Sequence, residues 1–328
     1  MPQFVTQSEV QIVAIVNSLN RIELLQLGFP TLFCALQKGE LPAAIVVFEA
    51  GSSDGSTRWL EDFSASHPGI EIVVHRAETG EDTSFSAGVN TACRVAGERF
   101  PGARFYFLFE TDNWLADEAP LVGALDFLQN GPRDVCAAGF TVQKHAGTAP
   151  GYGSPFPRPL DFVIGPQLTQ KLGRDTPKAV WKRFKTQKWS YCDVIYTSPL
   201  LIFRADWDLV GGLDAKLFPF SECDLDLAWR LAKKGRKMAV LSSEGVIHDN
   251  KSQLSAWSAT RALQFHRARY LLLRRFYGAK IAAILPLLFG RHLLECAGVV
   301  LLAAKIKNPR ATLAKRALLL RRVFAQYR

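Results

Sequence analysis

The sequence predicts an α/β fold, a mostly parallel sheet flanked by helices, with a basic helical extension at its C-terminal end. Three observations carry this prediction. Apolar strand-like runs alternate with helix-period segments through the first 142 residues. One run, 105–109 (Phe-Tyr-Phe-Leu-Phe), is unbroken, as in a strand buried on both faces, and ends abruptly in Glu110 and Asp112. The charge then changes character after residue 250: 251–328 holds sixteen Lys and Arg against the single acid Glu295, and the first 250 residues hold 24 basic and 29 acidic side chains. The net charge of +10 therefore belongs to the tail, which calls for an anionic partner.

Strands are expected at 10–16, 43–48, 70–75, 105–109 and 135–142, with helices at 22–37, 57–66 and 84–97 between them and a further helix starting near Leu115. Between the second strand and its helix lies Glu49-Ala-Gly-Ser-Ser-Asp-Gly-Ser-Thr57, whose glycines permit close backbone approach and whose hydroxyls and Asp54 suit a polar ligand at a helix start. Loops of this kind are also ordinary strand-to-helix connections. Regularity stops from 143 to 192, where Pro and Gly cluster among aromatics; Trp181, Trp189 and Tyr191 are candidates for an acceptor groove or for simple packing. A strand resumes at 194–203, and a helix ending near Lys234 and Gly235 begins in Glu222-Cys-Asp-Leu-Asp226, with Phe218, Phe220 and Trp229 around it. Acids are favoured in a first helical turn, but apolar surroundings would also raise a carboxylate's pKa toward that of a general base. A strand at 237–241 precedes His248.

Glu110 and Asp112, one residue apart at a strand end, repel one another, and a divalent cation would relieve that cost; the alternative is that Asp112 caps the following helix. Six scattered cysteines without a CxxC pair read as reduced and cytosolic, and residues 1–9 carry no secretion-signal pattern.

Taken together, these stretches resemble family 2 inverting glycosyltransferases of the GT-A fold (a Rossmann-like mixed sheet), in particular the rhamnosyltransferase-like branch. Val46-Val-Phe-Glu-Ala-Gly-Ser-Ser-Asp-Gly-Ser-Thr57 is similar to the family's nucleotide loop, with Glu49 in place of an Asp that contacts the base. Ser84-Phe-Ser-Ala-Gly-Val-Asn90 is similar to its G-F-A-x-x-x-N segment, and Glu110-Thr-Asp112 stands at the DxD position. Val210-Gly-Gly-Leu-Asp214 with Cys223-Asp-Leu-Asp-Leu-Ala-Trp-Arg230 resembles G-G-F-D…E-D-x-D-x-x-x-R, with Cys223 where the family has Glu and Glu222 one position early.

The resemblance implies a GT-A catalytic domain over 1–254, with 10–142 as the nucleotide-sugar half and 143–254 as the acceptor half, and a tail over 255–328. It implies Asp224 as catalytic base; Glu49, Ser52, Asp54, Asn90, Glu110 and Asp112 around the donor; Glu110, Asp112 and His248 on a divalent metal, Mg²⁺ or Mn²⁺; and Glu222, Asp226, Arg230 and Trp189 as acceptor or supporting residues. The partners implied are a nucleoside-diphosphate sugar and a glycan or lipid-linked acceptor hydroxyl, with no nucleic acid, in cell-surface polysaccharide or cell-wall synthesis. In the tail, the apolar runs 281–290 and 296–304 are each shorter than the roughly 18 to 20 residues that span a bilayer. They are expected to lie on an anionic membrane surface, placing the protein in the cytoplasm on the inner face of the plasma membrane, or else to pack on protein, including a second subunit. Rival readings are a non-catalytic membrane- or nucleic-acid-binding protein and a sugar nucleotidyltransferase; the latter would need a Gly-rich basic loop that 17–21 lacks. A kinase or P-loop ATPase is disfavoured by the missing GxxxxGK[ST].

Overall fold

Segments that read as unbroken apolar runs form strands buried on both faces. The computed structural model describes residues 10–143, 153–248 and 258–326; residues 1–9 and the expected domain boundary at 254–255 lie outside the described residues. In chain order it contains β1 (Ile12–Ser18), α1 (Ile22–Lys38), β2 (Ala43–Glu49), α2 (Ser56–Ser66), β3 (Glu71–Arg76), α3 (Phe85–Arg99), β4 (Phe105–Leu108), β5 (Asn113–Leu115), α4 (Ala119–Asn130) and β6 (Val135–Phe140). There follow α5 (Pro159–Ile164), α6 (Pro166–Lys171), β7 (Lys182–Phe184), β8 (Gln187–Cys192), β9 (Leu200–Phe203), α7 (Arg204–Val210), α8 (Cys223–Lys233), β10 (Lys237–Leu241) and β11 (Val246–His248). The chain ends in α9 (Ala259–Tyr277), α10 (Leu285–Leu301) and α11 (Pro309–Gln326).

Two compact units result. The first, residues 1–154 and 177–250, holds a nine-stranded sheet in the order β3-β2-β1-β4-β9-β6-β10-β8-β7. All strands but β8 and β9 run in one direction. Every residue of β2, β4 and β6 is buried, as strands covered by helices on both faces must be. On α1, Leu25, Phe29, Leu32 and Leu36 recur at helical spacing and pack against the sheet. One contact of α1 is tighter than any side chain allows: a Cβ on Gly28 would come within 2.4 Å of the Asn113 carbonyl oxygen and 3.1 Å of that of Thr111. The helix thus rests directly on the turn that carries Asp112.

Several expectations change here. No helix starts near Leu115: residues 113–115 form β5, which pairs antiparallel with β11, and α4 begins only at Ala119, so Asp112 caps nothing. The strand expected at 194–203 is confined to Leu200–Phe203 and runs antiparallel between β4 and β6. The irregular stretch at 143–192 contains α5, α6 and the β7–β8 hairpin among its described residues.

The second unit, residues 155–176 and 251–328, is helical around Phe162, Tyr270, Leu273, Ile281, Leu285, Leu288 and Val323. Its apolar runs are not the separate short pieces expected. A 3₁₀ segment at Ala279–Ile284 and α10 make Ala279–Leu301 one helical stretch, long and apolar enough by length and composition to cross a membrane, with 22% of its apolar window buried. The polar residues between the runs do not break the helix because they are neutralised within the unit: Glu295 pairs with Arg291, His292 and Arg316, and Arg291 also donates to the Phe162 carbonyl. Leu287, Leu293, Leu294, Val300 and Leu301 remain exposed on the same helix.

Candidate active site

Ligands of open α/β sheets bind beyond the carboxyl ends of the strands, and the sequence places its acids there. β4 ends at Leu108, and the chain turns through Glu110, Thr111 and Asp112 into β5. Because β9 is reversed, with Leu200 opposite Leu108, the residues just before it, Thr197 and Ser198, arrive at this same end. Because β11 pairs with β5 in the register His248 opposite Asn113, His248 arrives there too. Two long-range pairings therefore assemble what sequence order keeps apart.

Thr197 joins the two acidic stretches. Its hydroxyl donates to Glu110 Oε1 at 3.2 Å, and its backbone N–H donates to Asp224 Oδ1 at 3.3 Å, in the first turn of α8. Burial pushes the Glu110 carboxyl up to about 8, with repulsion from Asp112 and Asp224 adding to it. Burial likewise raises Asp224 to about 6, opposed by hydrogen bonds from Thr197 and assisted by the charge of Glu222. Glu222, buried and left-handed at φ 66°, precedes α8. The expected convergence of Glu110 and Asp112 with Asp224 is thus present.

Asp112 is 5% exposed, and its Oδ1 accepts no hydrogen bond. His248 Nδ1 lies 3.4 Å from that oxygen and within 3.0–3.1 Å of Ser198 Oγ and Asn113 Oδ1. Fully buried Asn113 also donates to the Glu110 carbonyl and to Ser198. Among the described residues no group of three or more His, Cys, Asp or Glu side chains is placed to hold a metal. Asp112 and His248 nevertheless stand side by side, a carboxylate oxygen without a hydrogen-bond donor next to an imidazole, a pair whose chemistry would suit a divalent cation. Glu110, the third residue expected at a metal, accepts the Thr197 hydroxyl, and burial raises its pKa.

The remaining expected donor residues are engaged in holding loops. Both Glu49 oxygens accept N–H groups of its own loop, from Gly51 and Ser52. Ser52 Oγ accepts from Asn20 N–H, tying the loop after β2 to the loop after β1. One Asp54 oxygen accepts from Ile22 N–H at the start of α1, and the other accepts from Ser56 N–H and hydroxyl at the start of α2, so a single carboxylate serves two helix N-termini. Burial opposes these bonds but is outweighed, and the Asp54 pKa is lowered. Asn90 is likewise spent: its amide donates to the Leu213 carbonyl and accepts the Leu213 N–H. A Cβ on Gly212 would meet Asn90 Oδ1 at 2.6 Å, and φ is +67° there, so this contact needs glycine. Fully buried Asp226 pairs with Arg230 at 2.7 Å, and Arg230 donates to the carbonyls of Val210 and Gly212. Trp189, expected near an acceptor, lies in the core, 5.0 Å from the Phe127 ring centre, because its position on β8 points into the sheet–helix layer.

Reasoning from sequence passed over Thr197, Ser198 and Asn113. It also gave no role to Arg21, whose charge lowers the Glu110 pKa, or to Asn17 and Ser18 at the end of β1, whose Oδ1 and Oγ are buried without partners. The visible signal for the last two was a pair of polar residues closing an apolar strand.

No protein-family model matches the sequence, and no curated protein matches it. Solved structures do. A mannosyltransferase from Pyrobaculum calidifontis, in complex with GDP-Man and Mn²⁺, superposes with TM-score 0.54 at 17% identity, covering 94% of this chain and 85% of that one. S. aureus TarS (residues 1–349), in complex with UDP-GlcNAc, gives 0.52 at 13%, covering 86% and 72%. GalNAc-T7, with UDP, GalNAc and Mn²⁺, gives 0.51 at 13%; the alignment covers 83% of this chain and 51% of that chain. The fold is the GT-A fold, a large mostly parallel sheet flanked by helices, with C-terminal helices in addition.

Proposed function

We propose that the protein is an inverting glycosyltransferase that moves a sugar from a nucleoside-diphosphate donor to a hydroxyl of a glycan or lipid-linked acceptor. The observation that carries this reading is the meeting of Glu110 and Asp224 on Thr197, beside Asp112 and His248. It is supported by structural neighbours described with GDP-Man, UDP-GlcNAc, or UDP with GalNAc. In the reaction, Asp224 accepts the proton of the acceptor hydroxyl as its oxygen bonds to the anomeric carbon. The bond from that carbon to the diphosphate oxygen breaks, and its electron pair leaves with the nucleoside diphosphate. A pKa near 6 keeps Asp224 ionised at neutral pH yet more basic than an ordinary aspartate. Asp112 and His248 would hold a divalent cation, which when bound supplies positive charge against the departing diphosphate. Glu49, Ser52 and Asp54 shape the loops after β1 and β2, and Asn90, Asp226 and Arg230 hold the 210–214 loop.

Nucleotide sugars tested for binding and turnover with Mn²⁺, with Mg²⁺ and with chelator decide the reading. The panel comprises dTDP-rhamnose, the donor favoured by the sequence resemblance, with UDP-galactofuranose, UDP-hexoses and GDP-mannose. Turnover of one donor that chelator removes and metal restores is expected; absence of binding across the panel would sink the assignment.

The exposed leucines of α10 and the cations of the same unit suit an anionic bilayer surface, on which the helix lies with Leu294 and Leu301 inserted. This reading puts the protein at the cytoplasmic face of the plasma membrane. Flotation with phosphatidylserine liposomes is expected for the full chain and reduced for a Leu294→Glu, Leu301→Glu variant; equal flotation would refute it.

A further inference from the structure

A cavity of about 640 Å³ opens in the first unit beyond the carboxyl ends of β6 and β10, walled on its other side by the β7–β8 hairpin. It lies across β9 from the loops after β1 and β2, on the acceptor half of the sheet. It also adjoins the candidate active site: Gln143, in its wall, accepts through its carbonyl from the backbone N–H of His248.

The cavity's charge is lopsided. Lys182, Arg183 and Lys188 line it against the single carboxylate of Glu244. Lys182 is already committed, its ammonium lying over the rings of Trp189 and Tyr191 at 5.1 and 4.8 Å. Arg183 and Lys188 stand directly opposite one another in the antiparallel hairpin register, both exposed, and no ion pair to either is present among the described residues. Like charges facing each other across two strands are destabilising, and an anion between them would reverse the sign of that interaction. The Ser242 hydroxyl and the 41% exposed Trp181 ring complete a wall with a hydrogen-bonding group and an aromatic face.

We infer that this cavity binds an oxyanion, phosphoryl or carboxylate, carried on the acceptor substrate, with Arg183 and Lys188 as its specificity-determining residues. The word acceptor rests on the transferase reading above; the anion site rests on the cavity and its charges.

The test is calorimetric titration of the full chain with glucose 6-phosphate, glucuronate and glucose, repeated on an Arg183→Gln, Lys188→Gln variant. Both substitutions are on exposed side chains, and melting temperature checks that the variant is folded. Glucose 6-phosphate, glucuronate or both are expected to bind at least about tenfold more tightly than glucose, and the variant is expected to lose that preference. Which of the two charged sugars carries the effect identifies the oxyanion. No preference for a charged sugar in the wild type, or a preference that survives in the folded variant, overturns the inference. Donor binding is measured in the same two proteins and is expected to agree within about twofold. Its absence from both would refute the transferase reading without touching the anion result, so the two failures are distinguishable.

Discussion

Two sets of acids lie in this sheet unit, and they are held in opposite ways. Glu49, Asp54, Asp226 and the cation Arg230 are saturated: each accepts or donates two or more hydrogen bonds, or closes an ion pair, and the result is a fixed loop or helix end. Glu110, Asp112 and Asp224 are under-served. Two are pushed up by burial, and the third keeps an oxygen without a donor. A folded protein gains nothing from leaving carboxylates in that condition, so on the reading proposed above the contrast separates groups that hold structure from groups kept ready for a ligand.

The sharpest way to break this contrast is Asp224→Asn. Loss of the base is expected to lower turnover by roughly 10²–10⁴-fold. The same substitution is expected to raise the melting temperature at pH 7. An aspartate whose pKa rises from 3.8 to about 6 on folding adds stability that is fully present below the lower value and lost as pH rises through the upper one. The neutral amide removes that pH-dependent penalty, worth on the order of 3 kcal/mol. A variant both inactive and less stable would place Asp224 among the structural acids.

Asp226→Ala should behave in the contrary sense. It leaves Arg230 without its carboxylate in a largely enclosed site and is expected to cost roughly 3–5 kcal/mol of stability by denaturant unfolding. Gly28→Ala comes next: a methyl group meeting the Asn113 carbonyl is expected to cost roughly 1–3 kcal/mol and to lower donor affinity by displacing Asp112. Unchanged affinity would show that the acidic turn tolerates movement. Asp54→Ala should be mildest, about 1 kcal/mol in melting experiments for the lost helix-start bonds, with turnover within about twofold of the wild type. Across pH, kcat/KM is expected to fall about tenfold per unit below about 6 as Asp224 takes up its proton.

Much of this was legible in the chain. The apolar runs forecast β1, β2, β3, β4, β6 and β10, and the strand-end position of Glu110 and Asp112 needed only the unbroken run before them. The meeting with Asp224 and His248 was carried by motif resemblance, because nothing local in 222–226 or 246–248 says which strand end it will reach. What stayed hidden depends on pairing between distant segments. The reversal of β9 converts an apparent ten-residue strand into a short one with Thr197 and Ser198 at its head, and no periodicity encodes direction. Trp189 reads as a surface aromatic in an irregular stretch, and only its place on β8 turns it into core. Along the sequence Arg291, His292 and Glu295 interrupt the apolar run of 279–301, and their mutual neutralisation requires partners a helical turn or a whole helix away.

One hydroxyl, finally, serves two masters. The Thr197 side chain lowers the pKa of both Glu110 and Asp224, yet it has a single hydrogen to donate. Commitment to one acid is withdrawal from the other, so a movement of Glu110 away from Thr197 would free that hydrogen for Asp224. The position of one carboxylate would thereby bear on the proton affinity of the other through a single rotating bond.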